Sequence, residues 1–328
     1  MSLRSSRFLF AIAAAALLLG SATESSAVTI DWVAIGNPGN AADTPSSNCF
    51  ATSCGSVSSS YAISKYEVTN AQYAEFLNAK AASDPLSLYN TSMDSDASNG
   101  GITRSGVSGS FSYAVKSGFA SKPINYVSFY DTLRFSNWLN NGQGGGSTET
   151  GAYTLLGGTA TPTNGLTVTH NGGASIFLTS ENEWYKAAYY DAVSTSYFDY
   201  PVGTNTATVC AAPTATANRA NCTTSGVTDV GAYTGSASPY GTYDQGGNVW
   251  EWNEQIVSPN RPVRGGGWRF DGAGSLAAST SGYVVDPVGG EAAQTGFRVA
   301  AVIPEPGTAL LLGGGLLGLS VARRRKQA

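Results

Sequence analysis

The feature that most constrains the fold is how few helices this sequence can start. Three segments combine a Ser or Thr N-cap with Gln, Asp or Glu three residues later, at Thr69, Ser128 and Ser180. A short apolar stripe at helical spacing follows each of them. Short runs at 61–63 and 297–299 have the character of strands, and the rest is loop punctuated by Gly and Asn. The pattern predicts an irregular α+β domain with two or three helices and a few short strands.

Composition excludes two classes of function. Charged residues make up 12% of the 328 residues, about half the usual share, and the formal net charge is −4. A chain with this charge lacks the basic face that nucleic acid requires. Its single histidine, His170, lies in a segment typical of a turn, where we expect an exposed side chain. One histidine cannot build a multi-histidine zinc, copper or iron site.

The first 27 residues have the order of a secretory signal peptide. Arg4 and Arg7 precede an apolar stretch at 8–19, and a small-residue cleavage site ends at Ala27. The apolar stretch is too short for an ordinary membrane-spanning helix. We expect export and cleavage after Ala27, with an uncleaved anchor as the alternative.

Residues 303–328 form a second terminal signal. It consists of Pro304-Glu305-Pro306, an apolar run at 308–322 and the basic cluster Arg323-Arg324-Arg325-Lys326. The order closely resembles the PEP-CTERM sorting signal of Gram-negative bacteria. The resemblance implies an inner-membrane intermediate, processing by an exosortase, and a final place at the cell surface or in the extracellular matrix. Membrane contact is then expected only through this segment, before processing; a plain C-terminal anchor is the alternative.

Residues 28–302 form one predicted domain, which is more acidic than the whole chain. Six of the 18 basic and two of the 22 acidic side chains belong to the terminal segments, which leaves 12 basic and 20 acidic ones and a net charge of −8. No charged or Pro-rich linker and no internal repeat divides this domain. The higher negative charge strengthens the case against nucleic acid as a partner.

The four cysteines are expected to form disulfides, because the chain is exported. Cys49 and Cys54 lie in a Ser/Thr-rich loop, and Cys210 and Cys222 bracket a second loop. Four cysteines allow three pairings, of which the short separations favour the two local ones. No CxxC pattern occurs, so neither a redox motif nor a zinc ribbon is indicated.

Seven segments in a fixed order carry a family resemblance. They are 66–70 (YEVTN), 123–128 (PINYVS), 178–184 (LTSENEW), 200–203 (YPVG), 246–252 (GGNVWEW), 264–268 (RGGGW) and 296–299 (GFRV). Through them, residues 30–302 resemble the sulfatase-modifying-factor, or formylglycine-generating-enzyme, family. The resemblance implies a loop-rich fold related to C-type lectins, with a twisted antiparallel sheet. Trp250 and Trp252 are expected to be buried, and Arg264 and Arg298 to bond internal carbonyls or carboxylates.

The two copper-binding cysteines of that family have no counterpart in this chain. Family members that oxidise a sulfatase cysteine to formylglycine hold copper on two cysteines, whose matching positions are Phe270 and Ser275. A phenyl ring does not ligate copper, and a serine hydroxyl is a poor ligand for Cu(I). We therefore expect no copper. The acids Glu181 and Glu183 begin a helix, where we expect surface groups rather than a glycosidase pair.

The resemblance also implies a calcium site. Its ligands correspond to Asp244, Gly247, Val249 and Glu251, two carboxylates and two main-chain carbonyls around a Gly-containing turn. Oxygen-only sets of this kind suit Ca²⁺, but the two carboxylates could instead cap backbone N–H groups. Of the family's second calcium site only Asn221 has an evident counterpart.

Two functions from different classes fit these observations. The first is an exported, non-catalytic surface or matrix protein that binds a protein or polysaccharide through its loops, including the polar stretch 270–294. The second is a formylglycine-generating-type oxidase acting on a sulfatase cysteine, or a relative with altered chemistry. A third hypothesis is that the protein is a purely structural component of the matrix.

Overall fold

A computed structural model describes residues 27–44, 49, 53–257, 259–269, 272–280 and 288–303. The signal segment, Phe270 and the sorting residues Pro304, Glu305, Pro306, Arg323, Arg324 and Arg325 lie outside these residues. Within the described ranges, no helix is both long and apolar enough to cross a bilayer.

The three predicted capping boxes all form. Thr69, Ser128 and Ser180 are the N-caps of α1 (Asn70–Lys80), α3 (Phe129–Asn140) and α4 (Glu181–Tyr189), and each accepts from the backbone N–H three residues on. The third residue of each helix returns a side-chain bond to the cap. The sequence did not predict the one-turn helix α2 (Ser92–Ser95), which has no side-chain cap.

Thirteen short strands occur in the described residues, and most of them form small antiparallel sheets. They are β1 (Trp32–Ile35), β2 (Tyr61–Ser64), β3 (Ile102–Ser105), β4 (Ser112–Val115), β5 (Ile176–Leu178), β6 (Tyr190–Asp191), β7 (Ser196–Tyr197), β8 (Val209–Cys210), β9 (Arg219–Ala220), β10 (Trp250–Trp252), β11 (Val263–Arg264), β12 (Thr295–Phe297) and β13 (Val299–Val302). The main sheet has the antiparallel order β1-β2-β13-β5. This is the predicted α+β class.

The strand predicted at 297–299 is split between two sheets. Phe297 ends β12, which pairs in parallel with β10 in the sheet β11-β10-β12, whereas Val299 begins β13 in the main sheet. Arg298 lies at the crossing between them, and its side chain is fully buried. This junction places one guanidinium between two sheets and next to the turn that precedes β10.

The largest core cluster joins α1, α3 and both of these sheets. Phe76 of α1 packs on Trp138 of α3 with ring centroids 5.4 Å apart, and Phe135 of α3 meets Phe297 of β12 at 5.3 Å. Trp250 and Trp252 are buried, as predicted, and the Trp252 indole donates to the Val127 carbonyl at 3.0 Å. Aromatic packing of this kind compensates for the small amount of regular structure.

Both predicted disulfides are confirmed. Cys49 pairs with Cys54 and Cys210 with Cys222, so all four cysteines of the chain are oxidised. Each bond closes a short loop, and its contribution by chain entropy is about 2–3 kcal/mol.

Candidate functional site

The turn that precedes β10 is where the motif segments converge. Its backbone is left-handed at Asp244, Gly247 and Asn248, with φ of 60°, 93° and 61°. Asp, Asn and Gly are the residues that tolerate this conformation. The Gly247 N–H donates to the Gly265 carbonyl at 2.9 Å, which ties the turn to the RGGGW segment.

Glu251 and Arg298 form a fully buried ion pair beneath this turn. The Arg298 Nε and Nη2 atoms donate to the two Glu251 carboxylate oxygens at 2.5 and 2.7 Å. The remaining guanidinium donors reach the carbonyls of Ser64 and Tyr243. The Trp184 indole adds a third N–H to the Glu251 carboxylate at 2.7 Å. The GFRV, GNVWEW and ENEW segments are thus joined through one carboxylate.

A second carboxylate, Glu67, holds the same turn from the β2 side. It accepts from the Asn248 side-chain amide at 2.7 Å and from the Val249 backbone N–H at 3.1 Å. Burial raises the pKa of Glu67 well above its ordinary value, and the neighbouring charges of Asp244 and Glu251 raise it further. This role was not predicted, although the YEVTN segment was recognised as a motif.

Asp244 completes the group of buried charges. Its carboxylate accepts from the Gly231 N–H at 2.5 Å, and burial raises its pKa to about 6. In the described residues, the cation that acts on both Glu67 and Asp244 is the Arg298 guanidinium, which is already paired with Glu251. Ionised together, the three carboxylates would outnumber it.

Arg264, the other motif arginine, has an internal partner as predicted, but that partner, Glu181, was expected at the surface. Arg264 is buried and bonds the Glu181 carboxylate through Nε at 2.8 Å and also through Nη2. The expectation that Glu181 is a surface group is wrong, because its side chain is only 3% exposed. Glu183 is only partly exposed as well: its carboxylate closes the capping box of α4 through bonds to Ser180, and burial raises its pKa.

The four predicted calcium positions lie in this one turn, but they differ in how well they fit an ion. From the described residues, Asp244 accepts one hydrogen bond, that of the Gly231 N–H, and keeps capacity for a cation. Glu251 is already bonded by Arg298 and Trp184, so an ion there would compete with the guanidinium. In the described residues, no group of three or more His, Cys, Asp or Glu side chains converges as a metal site. The predicted calcium site is of another kind, because two of its four ligands are main-chain carbonyls.

Asn221, the second calcium position, lies against the first. Its carbonyl accepts from the Asn248 N–H at 2.8 Å, and its amide donates to the Gly226 carbonyl at 3.0 Å and to the Asn248 side chain at 3.2 Å. Its side-chain oxygen accepts from Thr224. These bonds hold the turn together, and a second calcium site stays a prediction.

Of the two positions that match the copper cysteines, the structure describes Ser275. Its hydroxyl donates to the Gly272 carbonyl at 2.9 Å. The Ser275 side chain also lies against Gly266, where an added Cβ would be 2.5 Å from the hydroxyl oxygen. The hydroxyl is therefore used in holding the local backbone.

His170 belongs to a polar group that the sequence did not reveal. The side chain is 38% exposed, as expected, but Nδ1 lies 2.6 Å from Glu254 Oε1, and the ring stacks on Phe177 at 4.5 Å. The buried Tyr153 hydroxyl donates to the other oxygen of Glu254 at 2.9 Å. Residues 170 and 254 are 84 apart in sequence, so no local pattern could pair them.

The His170–Glu254 contact predicts a pH-dependent contribution to stability. The hydrogen bond to Glu254 raises the pKa of His170 above 6.5. A raised histidine pKa stabilises the fold below the unfolded value, and this contribution is lost as pH rises through the folded value. We expect the melting-temperature difference between wild type and His170→Gln to be larger at pH 5.5 than at pH 8.5. Equal differences at both values would show that the contact carries no net charge interaction.

Comparisons with known proteins agree with this architecture. The model of the sulfatase-modifying factor enzyme 1-like domain matches residues 27–303, and that of the PEP-CTERM protein-sorting motif matches residues 302–326. The second match indicates processing by an exosortase-type sorting system and export to the envelope or surface of Gram-negative bacteria. A search of curated proteins gives no significant match.

Solved structures show the same fold. CarF is 21% identical with a TM-score of 0.55, and the match covers 84% of this chain and 99% of CarF. Variable protein 1 of Treponema denticola is 19% identical with a TM-score of 0.53, and the match covers 83% of this chain and 95% of that protein. At these identities the likeness concerns the fold alone.

Proposed function

The chain belongs to the sulfatase-modifying factor enzyme 1-like family, and on that premise we propose that it is a non-catalytic member that binds a polysaccharide or protein at the cell surface. The observation that carries the proposal is the state of the cysteines. All four are in disulfides, and a disulfide sulfur is not the thiolate that copper requires. The paired motif charges support the same conclusion, because they hold the turn and the sheets together.

The test is a direct assay for the family's oxidase chemistry alongside a binding screen. Secreted protein is supplied with Cu(I), a thiol reductant and a peptide carrying a sulfatase-type cysteine, while oxygen uptake and peptide mass are followed. We expect neither copper binding nor peptide oxidation, but binding to a polysaccharide or an envelope protein in the screen. Copper-dependent conversion of the peptide cysteine would instead establish the oxidase.

We further propose that the mature protein begins at Val28 and is cut near Pro304-Glu305-Pro306 after an inner-membrane stage. Intact mass of the secreted form measures both ends at once. We expect a mass lacking both terminal segments and reduced by four hydrogens for the two disulfides. A mass equal to residues 28–328 would argue against tail cleavage.

Calcium binding at the turn of residues 244–251 stays a proposal, with Asp244 as its most accessible carboxylate. A divalent cation would relieve the negative excess among Glu67, Asp244 and Glu251. We expect Ca²⁺ to raise the melting temperature of the wild type but not of Asp244→Asn. The matched control is Asp229→Asn, since the Asp229 side chain is 60% exposed and lies outside the turn. Identical melting in Ca²⁺ and in chelator would rule out the site.

A further inference from the structure

A groove lined mainly by residues 161–167 has the size of a ligand site. Its volume is about 580 Å³, and the residues that matter here are Tyr130, Thr161, Leu166, Thr167, Asn260 and Val288. Sites for small molecules have volumes of about 300–1,000 Å³ and are mostly apolar with a few polar groups. We propose that this groove binds a neutral polysaccharide strand. The proposal rests on the binding role proposed above and names its ligand class and its site.

One wall of the groove is held rigid by two fully buried arginines. Arg134 donates to the carbonyls of Thr159 and Ala160 at 2.8 and 3.0 Å, and it is anchored by Glu149. Arg261 donates to the carbonyls of Gly165 and Val168 at 3.1 and 2.7 Å. Both ends of the loop 159–168 are therefore fixed before any ligand arrives, which lowers the entropy cost of binding.

Tyr130 forms the floor of the groove, and the loop 159–168 packs closely against it. Gly165 lies directly against the Tyr130 ring, so that any side chain at this position would overlap the ring and its hydroxyl. Tyr130 itself is buried and belongs to α3, a rigid element. A groove with a loop wall and a helical floor of this kind keeps its shape between the free and bound states.

The lining suits a sugar better than a charged ligand. Leu166, 45% exposed, offers apolar surface to the C–H face of a pyranose ring, whereas Val288 lines the groove as a buried side chain. Thr161 and Asn260 make no side-chain hydrogen bond within the described part of the chain, so a hydroxyl and an amide are available to sugar hydroxyls. Among the described residues, none of the side chains that line the groove is charged. These side chains supply no cation for a uronate, sulfate or phosphate.

Charge next to the groove also favours a neutral strand. A smaller cavity shares Tyr130 and Thr161 with it and is lined by the carboxyl groups of Asp131 and Glu291. Burial raises the pKa of Asp131 to about 7, and the charge of Glu291 adds to the shift. Neither carboxyl group can neutralise an anion, so this end offers an acidic ligand no favourable charge interaction. A second copy of the chain is disfavoured for the same reason, since each domain carries a net charge of −8.

The test compares two leucines that are exposed to a similar degree. Leu166→Asp places a charge in the groove, and Leu156→Asp, at a side chain 50% exposed outside the lining, is the matched control. Binding of the secreted protein to cello-, malto-, manno- and xylohexaose is measured by calorimetry, with an alginate hexamer as the acidic probe. We expect at least one neutral hexamer to bind, a loss of tenfold or more in Leu166→Asp, and less than twofold change in Leu156→Asp.

The outcomes separate the groove from the general function. If Leu166→Asp binds the neutral hexamer as tightly as the wild type does, the sugar binds outside the groove. The proposed binding role would then still hold. Tighter binding of the alginate hexamer, or wild-type binding of none of the neutral hexamers, would overturn the neutral-polysaccharide assignment. If an envelope protein binds instead and Leu166→Asp abolishes that binding, the groove is a protein site. A wild-type protein that binds no glycan and no protein would remove the proposed function itself.

Discussion

Replacing Arg298 by methionine is expected to lower the free energy of unfolding by about 3–5 kcal/mol. The guanidinium is fully buried and contacts both oxygens of the Glu251 carboxylate. Its removal leaves that carboxylate buried without a cation, and it also ends the favourable charge interaction with Glu67 and Asp244. In a large domain 1 kcal/mol shifts the melting temperature by about 2–4 °C, so the expected fall is about 6–20 °C.

The measurement is chemical unfolding of wild type and Arg298→Met, with Lys116→Met as the control for loss of a basic charge. Lys116 lies 3.9 Å from Asp94, whose side chain is 52% exposed, and it also donates to the main-chain carbonyls of Asp94 and Asp96. A partly exposed ion pair of this kind contributes about 0–1 kcal/mol. The deficit of Arg298→Met is expected to be smaller at pH 5 than at pH 8, because protonation of the remaining carboxyl groups relieves their repulsion. A deficit below 1 kcal/mol would mean that the ion pair and its desolvation cost cancel.

What the sequence predicted correctly depends on short-range order. The capping boxes at Thr69, Ser128 and Ser180 place a cap and its partner three residues apart, so their geometry is set locally. The two disulfides join cysteines that are 5 and 12 residues apart. These features need no knowledge of the tertiary fold.

The features that the sequence did not predict are side-chain contacts between residues that lie far apart in the chain. Arg264 was expected to have an internal partner, but the partner is Glu181, 83 residues away. Glu67 reaches Asn248 across 181 residues, and nothing in the YEVTN segment indicates that contact. Glu181 was expected at the surface because acids in the first turn of a helix are favoured by the helix dipole. That rule takes no account of what packs against the first turn.

The candidate binding groove was hidden for a related reason. Its loop, residues 159–168, is a Thr-rich segment with one Pro, one Asn and one Gly and without periodicity, typical of an exposed connection. The structure shows that Arg134 and Arg261 hold this loop from opposite ends. Neither arginine belongs to a motif segment. The proposed groove therefore lies on a loop that the scaffold positions, whereas the buried arginines of the motif segments hold the scaffold together.

Replacing Gly247 by alanine is expected to destabilise the fold by about 2–5 kcal/mol. Its φ of 93° costs an L residue about 1–2 kcal/mol. An added Cβ would also overlap the carbonyl of Asn221, whose carbon lies 2.9 Å from the Cβ position, and overpacking of this kind costs about 1–3 kcal/mol. Because the Asn221 carbonyl accepts from the Asn248 N–H, relief of the clash would disturb the whole turn.

Gly241→Ala separates the two costs. Gly241 has a φ of 94°, and nothing lies within 4 Å of its Cβ position, so this variant isolates the conformational term. We expect it to lose about 1–2 kcal/mol in the same unfolding assay, clearly less than Gly247→Ala. Equal losses would mean that the Asn221 backbone yields to a methyl group at no cost. Since the Asn221 carbonyl is part of the backbone and is bonded to the turn itself, a larger loss at Gly247 would show that close main-chain approach, and not only a left-handed φ, requires glycine here.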